Sequence, residues 1–180
     1  TFAHQAIEKG ALAAIVDNKA VADANKACYL VDDVLKTLQE LAQLHRNQFD
    51  IPVLALTGSN GKTTTKALIQ AVLSANHTVL ATEGNLNNHI GVPLTLLRLT
   101  PAHSHAIIEM GANHLKEIAF LCEIAQPTYG LITNVGKAHL EGFGSEEGVF
   151  QGKTELYDFI EKKDGLIFVN EDDHKLFFAI

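Results

Sequence analysis

The sequence predicts an α/β fold: a parallel sheet with helices on both faces and a phosphate-binding loop, preceded by part of a small α/β domain. Three observations carry this expectation. From residue 51 onward, short continuous apolar runs alternate with helix-period segments, the pattern of buried parallel strands and their crossover helices. A glycine-rich loop, Thr57 to Thr64, joins one such run to one such segment. Hydrophobic residues make up 47% of the 180-residue chain and charged residues 19%, enough for a sizeable core and contrary to a disordered chain.

The elements follow in order. Ala3, Ala6 and Ile7 have helical spacing, and Gly10 closes that helix. Ala11 to Val16 and Cys28 to Val31 are short apolar runs and are expected as strands; the polar, Ala-rich Asp17 to Lys26 between them is a loop or a short helix. Val34, Leu35, Leu38, Leu41, Ala42 and Leu44 recur at helical spacing in the stretch Val34 to Phe49. Ile51-Pro52 breaks the pattern, because a residue before proline is pushed out of the helical region, and a domain boundary is expected near residue 50. The two parts are then 1–50 and 51–180. In the second, Val53 to Leu56, His77 to Ala81, Ala106 to Met110, Tyr129 to Thr133 and Leu166 to Val169 are expected strands. Lys62 to Ser74, Leu115 to Ala125 and Glu146 to Glu161 are expected helices. The first residue is Thr1, the one methionine is Met110, and Lys175 to Ile180 stop without a cap, so a piece of a longer protein is expected.

Charge and cysteine usage narrow the function. Lys plus Arg total 14 against 21 Asp plus Glu, a net charge of −7, which argues against a duplex-binding protein and leaves room for a local phosphate pocket. Cys28 and Cys122 form no CxxC pair, so neither a disulfide framework nor a zinc knuckle is expected, and a reducing, cytoplasmic setting fits. No apolar run approaches the roughly 20 residues that span a bilayer. No basic-then-apolar leader opens the chain, so neither membrane insertion nor secretion is expected.

The chemistry starts in Thr57-Gly58-Ser59-Asn60-Gly61-Lys62-Thr63-Thr64. Glycines let the backbone turn several N–H groups onto one anion, and the helix that follows adds its unpaired donors and positive dipole end. Gly58, Ser59, Asn60, Gly61, Lys62, Thr63 and Thr64 are therefore candidate nucleotide-binding residues, with Lys62 reaching the β- and γ-phosphates and the Thr63 hydroxyl holding Mg²⁺. The longer GxxxxGK[ST] pattern asks for glycine where this chain has Leu56. Glu109 ends the next apolar strand to close in an acid, where open parallel sheets place ligands, and is a candidate Mg²⁺ ligand. A third cluster, Asn134 to Ser145, follows Tyr129 to Thr133, and its His139 could ligate a metal or bind a phosphate oxygen.

Four stretches together resemble the Mur ligases, the amide ligases of peptidoglycan precursors. They are Thr57 to Lys66, Gly84 to Leu97 (GNLNNHIGVPLTLL), Glu109 to His114 (EMGANH) and Ala138 to Ser145 (AHLEGFGS). The first marks the superfamily, which includes the folylpolyglutamate synthetases; the second and fourth point to the MurF type. Residues 1–50 resemble the latter part of that type's N-terminal domain, which handles the UDP-sugar end of the substrate, and residues 51–180 its ATP-binding central domain, without the family's C-terminal domain.

The resemblance implies ATP and Mg²⁺ as cofactors, UDP-N-acetylmuramoyl-tripeptide and D-alanyl-D-alanine as substrates, and an acyl phosphate as intermediate. It implies a cytoplasmic monomer, and a fragment that is inactive alone. It implies that Thr63 and Glu109 hold one ion and His139 a second, with Lys62, His139 and Lys153 catalytic and Lys153 a carbamate ligand. It places Asn88 and Asn85 near the γ-phosphate and Asn170 at the adenine. On the residues alone, Lys153 is a solvated helix lysine and Asn170 an Asx turn. His89 departs from the glutamate of some relatives. Another Mur or folylpolyglutamate-type ligase, or a P-loop NTPase or phosphotransferase, remains the alternative; a ligase needs carboxylate and amine to release phosphate, and an NTPase needs neither.

Overall fold

The computed structural model describes residues 2–136 and 140–179, which form two compact units, one up to Glu40 and one from Leu41 onward. The smaller unit holds α1 (Phe2–Glu8), β1 (Ala14–Val16), α2 (Lys19–Ala24), β2 (Cys28–Leu30) and the start of α3 (Val34–Arg46). Its two strands pair in parallel, Ala14 opposite Cys28. Between them the chain takes the helical option, because the Asn18 side chain accepts the N–H groups of Ala20 and Val21 at 3.0 and 3.3 Å and so caps α2.

The division between units falls within α3, not at Ile51-Pro52. The last turn of α3 packs into the larger unit through the buried Arg46, which donates to the carbonyls of Ala125, Gln126 and Phe49 at 3.0, 3.2 and 2.6 Å. The guanidinium thereby satisfies carbonyls at the C-terminal end of the helix that finishes at Ala125, which a helix leaves without internal donors.

In the larger unit the chain runs β3 (Val53–Thr57), α4 (Lys62–Leu73), β4 (Val79–Ala81), α5 (Gly91–Leu96), β5 (His105–Glu109), α6 (Glu117–Ala125) and β6 (Tyr129–Ile132). It ends with α7 (Leu140–Phe143), α8 (Glu146–Lys162), β7 (Leu166–Phe168) and α9 (His174–Phe177). The sheet order is β4-β5-β3-β6-β7 with every pair parallel. The chain builds one half of the sheet beyond β5 and the other beyond β6, so the order reverses around β3, and the carboxyl end of β3 lies at the crevice where such sheets bind ligands.

Register decides which side chains serve which face. Val53 pairs with Ala106 and Ala55 with Ile108, and this face is covered by α5, α6 and α8 to form the main core. Leu54 pairs with Ile107 and Leu56 with Glu109, and this alternate set meets Ile69 and Leu73 of α4. The expected helices on both faces are present. Glu109 therefore leaves the sheet on the side of α4, toward the start of the helix that follows the glycine-rich loop. On the opposite face Gly130 lets α8 approach closely: a Cβ there would lie 3.0 Å from Ile160 Cγ1.

Two elements depart from expectation. α5 was not foreseen; it forms with Pro93 in its first turn, where a missing N–H costs no helical bond, and with Asn88 Oδ1 accepting from the N–H of Ile90 and Gly91. α6 starts at Glu117 instead of Leu115, since Lys116 takes a left-handed φ of 70°. Its freed donors are met from α8: Glu155 accepts the N–H of Lys116 at 2.5 Å and of Ala119 at 2.9 Å. Among the described residues, no helix is long and apolar enough to cross a membrane.

Candidate active site

At the end of β3 the Thr57 hydroxyl donates to Met110 O at 2.8 Å and locks the ends of β3 and β5 together. The loop turns through Gly58, at φ +145°, where a Cβ would lie 2.0 Å from Thr133 Oγ1, and through Gly61, at φ +78°. Both conformations favour glycine. Lys62 curls back over the loop, its Nζ donating to Gly58 O at 2.7 Å and to Ser59 O at 3.5 Å. Burial lowers its pKa, and the Glu109 carboxylate works against that shift. Thr64, in the first turn of α4, is exposed, and the backbones of Ser59 and Asn60 are bonded to the segment after β6.

Glu109 is 2% exposed and has three side-chain partners. Thr63 Oγ1 donates to its carboxylate at 3.1 Å, Asn87 Nδ2 donates at 2.9 Å, and Lys66 Nζ lies 3.3 Å away in an ion pair. Its own N–H donates to Thr82 Oγ1 at 2.9 Å. Thr63 and Glu109, matched on sequence as a ligand pair, are thus brought together. Lys66 and Asn87 had no role in that reading. Lys66 stands one helical turn beyond Lys62 on the same face of α4, but that spacing alone does not reveal the carboxylate it meets. Asn87 is held by backbone geometry that spacing does not reveal: a Cβ on Gly111 would lie 2.9 Å from its Oδ1.

A cleft of about 390 Å³ opens beside this loop. Lys62, Asn87, Asn88, His89 and Asn113 line it with Gly111, Ala112, Glu117, Phe120 and Leu121, and Lys153 of α8 enters from the far side. Lys153 is no solvated helix lysine. It is 1% exposed, donates to Ala112 O at 3.4 Å and lies 5.5 Å from the centre of the Phe143 ring. Burial, and then repulsion from Lys62, bring its pKa down to about 8, against the pull of Glu117 and Glu155. Asn88 lines the cleft as well as capping α5. Asn170 does not line it; its Oδ1 accepts the N–H of Asp172 at 3.1 Å, the Asx turn. His139 lies outside the described residues.

The lowered pKa of Lys153 has a testable thermodynamic consequence. Between about pH 8 and the ordinary lysine value of 10.5 the unfolded chain binds a proton that the folded chain has released. Stability therefore rises with pH through that window on account of this residue, and below it the buried ammonium is a constant penalty. Comparison of urea denaturation at pH 7 and pH 10 for the parent and Lys153→Met is expected to show an extra gain of roughly 2 kcal/mol in the parent. Equal gains in both proteins would contradict the shift.

Residues 56–179 match the Mur ligase middle domain. The chain is 40% identical over 174 residues to the UDP-N-acetylmuramoyl-tripeptide–D-alanyl-D-alanine ligase of Bacillus subtilis, covering 96% of this chain and 38% of that protein. It is 43% identical over 173 residues to the enzyme of the same name from Escherichia coli, again covering 96% and 38%. A crystal structure of MurF from Acinetobacter baumannii superposes with a TM-score of 0.89 at 39% identity, covering 99% of this chain and 39% of that one. The MurF ligase of Thermotoga maritima in complex with ADP superposes at 0.79 and 36% identity, covering 88% and 36%. The chain thus spans less than two fifths of the length of these relatives. With the middle-domain match running over most of its residues, and Lys62 of the glycine-rich loop, Asn87 and Lys153 lining one cleft, the chain belongs to the Mur ligase family.

Proposed function

We propose that this chain is the ATP-binding part of a cytoplasmic ligase that joins D-alanyl-D-alanine to UDP-N-acetylmuramoyl-tripeptide in peptidoglycan precursor synthesis. The names of the relatives support the reaction, and the ADP complex of one of them supports ATP as its nucleotide. The observation that carries the reading is the convergence of Lys62, from the phosphate loop, and Lys153, from α8, on one cleft at the carboxyl end of the sheet. Two lysines on one cleft suit a phosphoryl donor and an anionic acceptor brought together. The substrate carboxylate oxygen attacks the γ-phosphorus and ADP leaves. The amine of the dipeptide then attacks the acyl carbon, loses a proton, and phosphate departs.

The protein's share is electrostatic. Lys62 and the N–H groups at the start of α4 neutralise the β- and γ-phosphates. Glu109 and Thr63 fit a magnesium ion: both present hard oxygen atoms, they are 3.1 Å apart, and Lys66 pairs with the same carboxylate at 3.3 Å. Bound there, the ion would draw charge from the phosphoryl oxygens. As an ammonium, Lys153 repels a cation and fits no second metal. Its pKa of about 8 leaves part of the amine neutral near pH 7, ready to add CO₂, and the resulting carbamate would supply oxygen ligands together with His139. Asn88 is proposed beside the γ-phosphate, Asn170 at the adenine, and residues 1–50 as part of the domain that holds the UDP end of the substrate.

The test is phosphate release by the whole protein that carries this chain. Release is expected only when ATP, the tripeptide acceptor and D-alanyl-D-alanine are all present. Steady release from ATP alone would favour a simple NTPase and overturn the proposal.

A further inference from the structure

We propose that Asn134 is a positioning residue that holds the glycine-rich loop in its anion-accepting form, with the amides at the start of α4 left unengaged by the clamp. The proposal rests on the reading of this loop as a nucleotide site. The Asn134 carboxamide grips a single residue of the loop at two points: Asn60 N–H donates to Asn134 Oδ1 at 3.1 Å, and Asn134 Nδ2 donates to Asn60 O at 2.9 Å. Its backbone joins in, with Ser59 N–H donating to Asn134 O at 3.0 Å. Thr133 Oγ1 adds a second donor to Asn60 O at 2.7 Å. One residue pair further on, the Ser59 hydroxyl donates to Gly136 O at 3.2 Å and accepts Gly136 N–H at 2.9 Å.

This set of bonds sorts the loop's polar groups. A carbonyl oxygen turned toward a phosphate would repel it. Here Gly58 O and Ser59 O are held by Lys62, Asn60 O by Thr133 and Asn134, and Gly61 O by the N–H of Thr65. The N–H groups of Ser59 and Asn60 are engaged as well, by Asn134. What remains is the set a helix always leaves without internal acceptors, the N–H groups of its first four positions, here Gly61, Lys62, Thr63 and Thr64. The Ser59 hydroxyl, bonded both ways to Gly136, is likewise committed to shaping the loop. Gly58 makes the arrangement possible, since a side chain there would collide with Thr133 before Asn134 could reach Asn60. An isolated glycine-rich loop would sample many conformations, and the ordering cost would fall on nucleotide binding; the clamp removes that cost in advance.

The test compares the parent chain with Asn134→Ala by amide hydrogen exchange without nucleotide and by calorimetric titration with Mg·ADP. In the variant the amides of Ser59 and Asn60 are expected to exchange about tenfold faster or more, while those of β3 and β5 keep their parent rates, and Mg·ADP affinity is expected to fall about tenfold. A role in general stability would instead speed exchange across the sheet. Parent-like exchange at Asn60, sheet-wide acceleration, or Mg·ADP affinity within twofold of the parent would each overturn the proposal. If Asn134→Ala does not fold, Ser59→Ala, which loses only the Gly136 pair, is expected to move both readouts in the same direction by a smaller factor, and no movement overturns it. A parent chain that fails to bind Mg·ADP would count against the nucleotide reading, while the exchange experiment still decides the clamp.

Discussion

Lys62→Ala is expected to abolish ligation in the whole protein and to weaken Mg·ATP binding at least about tenfold, in keeping with the roughly 1.5–3 kcal/mol of a charge-assisted hydrogen bond. Two losses add. The β- and γ-phosphates lose a cation that burial has already stripped of much of its water. The carbonyls of Gly58 and Ser59 lose the donor that holds them, so the loop itself loosens. Lys62→Arg is not expected to restore activity, because a planar fork cannot follow the path of an ammonium folded back to within 2.7 Å of Gly58 O. Equilibrium binding and phosphate release, measured side by side, check the prediction. Ligation at the parent rate in Lys62→Ala would remove the phosphate-loop assignment.

The second large effect is expected at Lys153. Lys153→Ala should lower ligation by about a hundredfold or more, the scale of losing one pre-placed electrostatic group in a closed site. If the working form is a carbamate, formate or acetate should restore part of the activity by occupying the space vacated beside Ala112 and Phe143. Lys153→Arg should not respond, since its guanidinium stays charged and fills that space. Depleting CO₂ from the parent should lower activity reversibly, with bicarbonate restoring it. Failure of both the carboxylate rescue and the bicarbonate response would leave the lysine acting as a plain amine and would sink the carbamate.

Much of this site is legible in the sequence because its chemistry sits where strands end. Thr57 to Thr64 shows a strand, a turn and a helix start in eight consecutive residues, and Glu109 shows an acid closing an apolar run. Both signals are local. The burial of Lys153 is not local. Its helix has ordinary amphipathic spacing, and what removes the residue from water is the close seating of α8 on Phe143, allowed by Gly152, where a Cβ would lie 2.4 Å from a ring carbon. Lys66 was hidden for a related reason. A lysine on a helix reads as solvated, and only the pairing of β3 with β5 puts a carboxylate opposite it. The helix Gly91–Leu96 was missed because Gly91 and Pro93 both argue against a helix, whereas Gly91 is required by tight packing on Leu86 and Pro93 falls in the permitted first turn. The helix expected to run to Phe49 before the break at Ile51-Pro52 ends at Arg46, and the compact units divide within it, between Glu40 and Leu41, with Arg46 bonded inside the larger unit.

The pairing of Leu56 with Glu109 also bears on how this protein can change in length. Side chains along a strand alternate between faces with a period of two, so deletion of one residue between His105 and Ile108 would carry Glu109 to the opposite face, into the cluster around Val53, Ala55 and Ile108. The carboxylate would lose Thr63, Asn87 and Lys66 together and be buried without a counter-charge. A two-residue deletion would preserve the face but pull the acid back from the carboxyl edge. Length changes that keep this carboxylate in place are therefore expected in the connection at the opposite, amino edge of β5, such as the turn from Thr100 to Ser104 that leads into it. Length variation among homologues should concentrate there and leave the five residues of β5 uninterrupted.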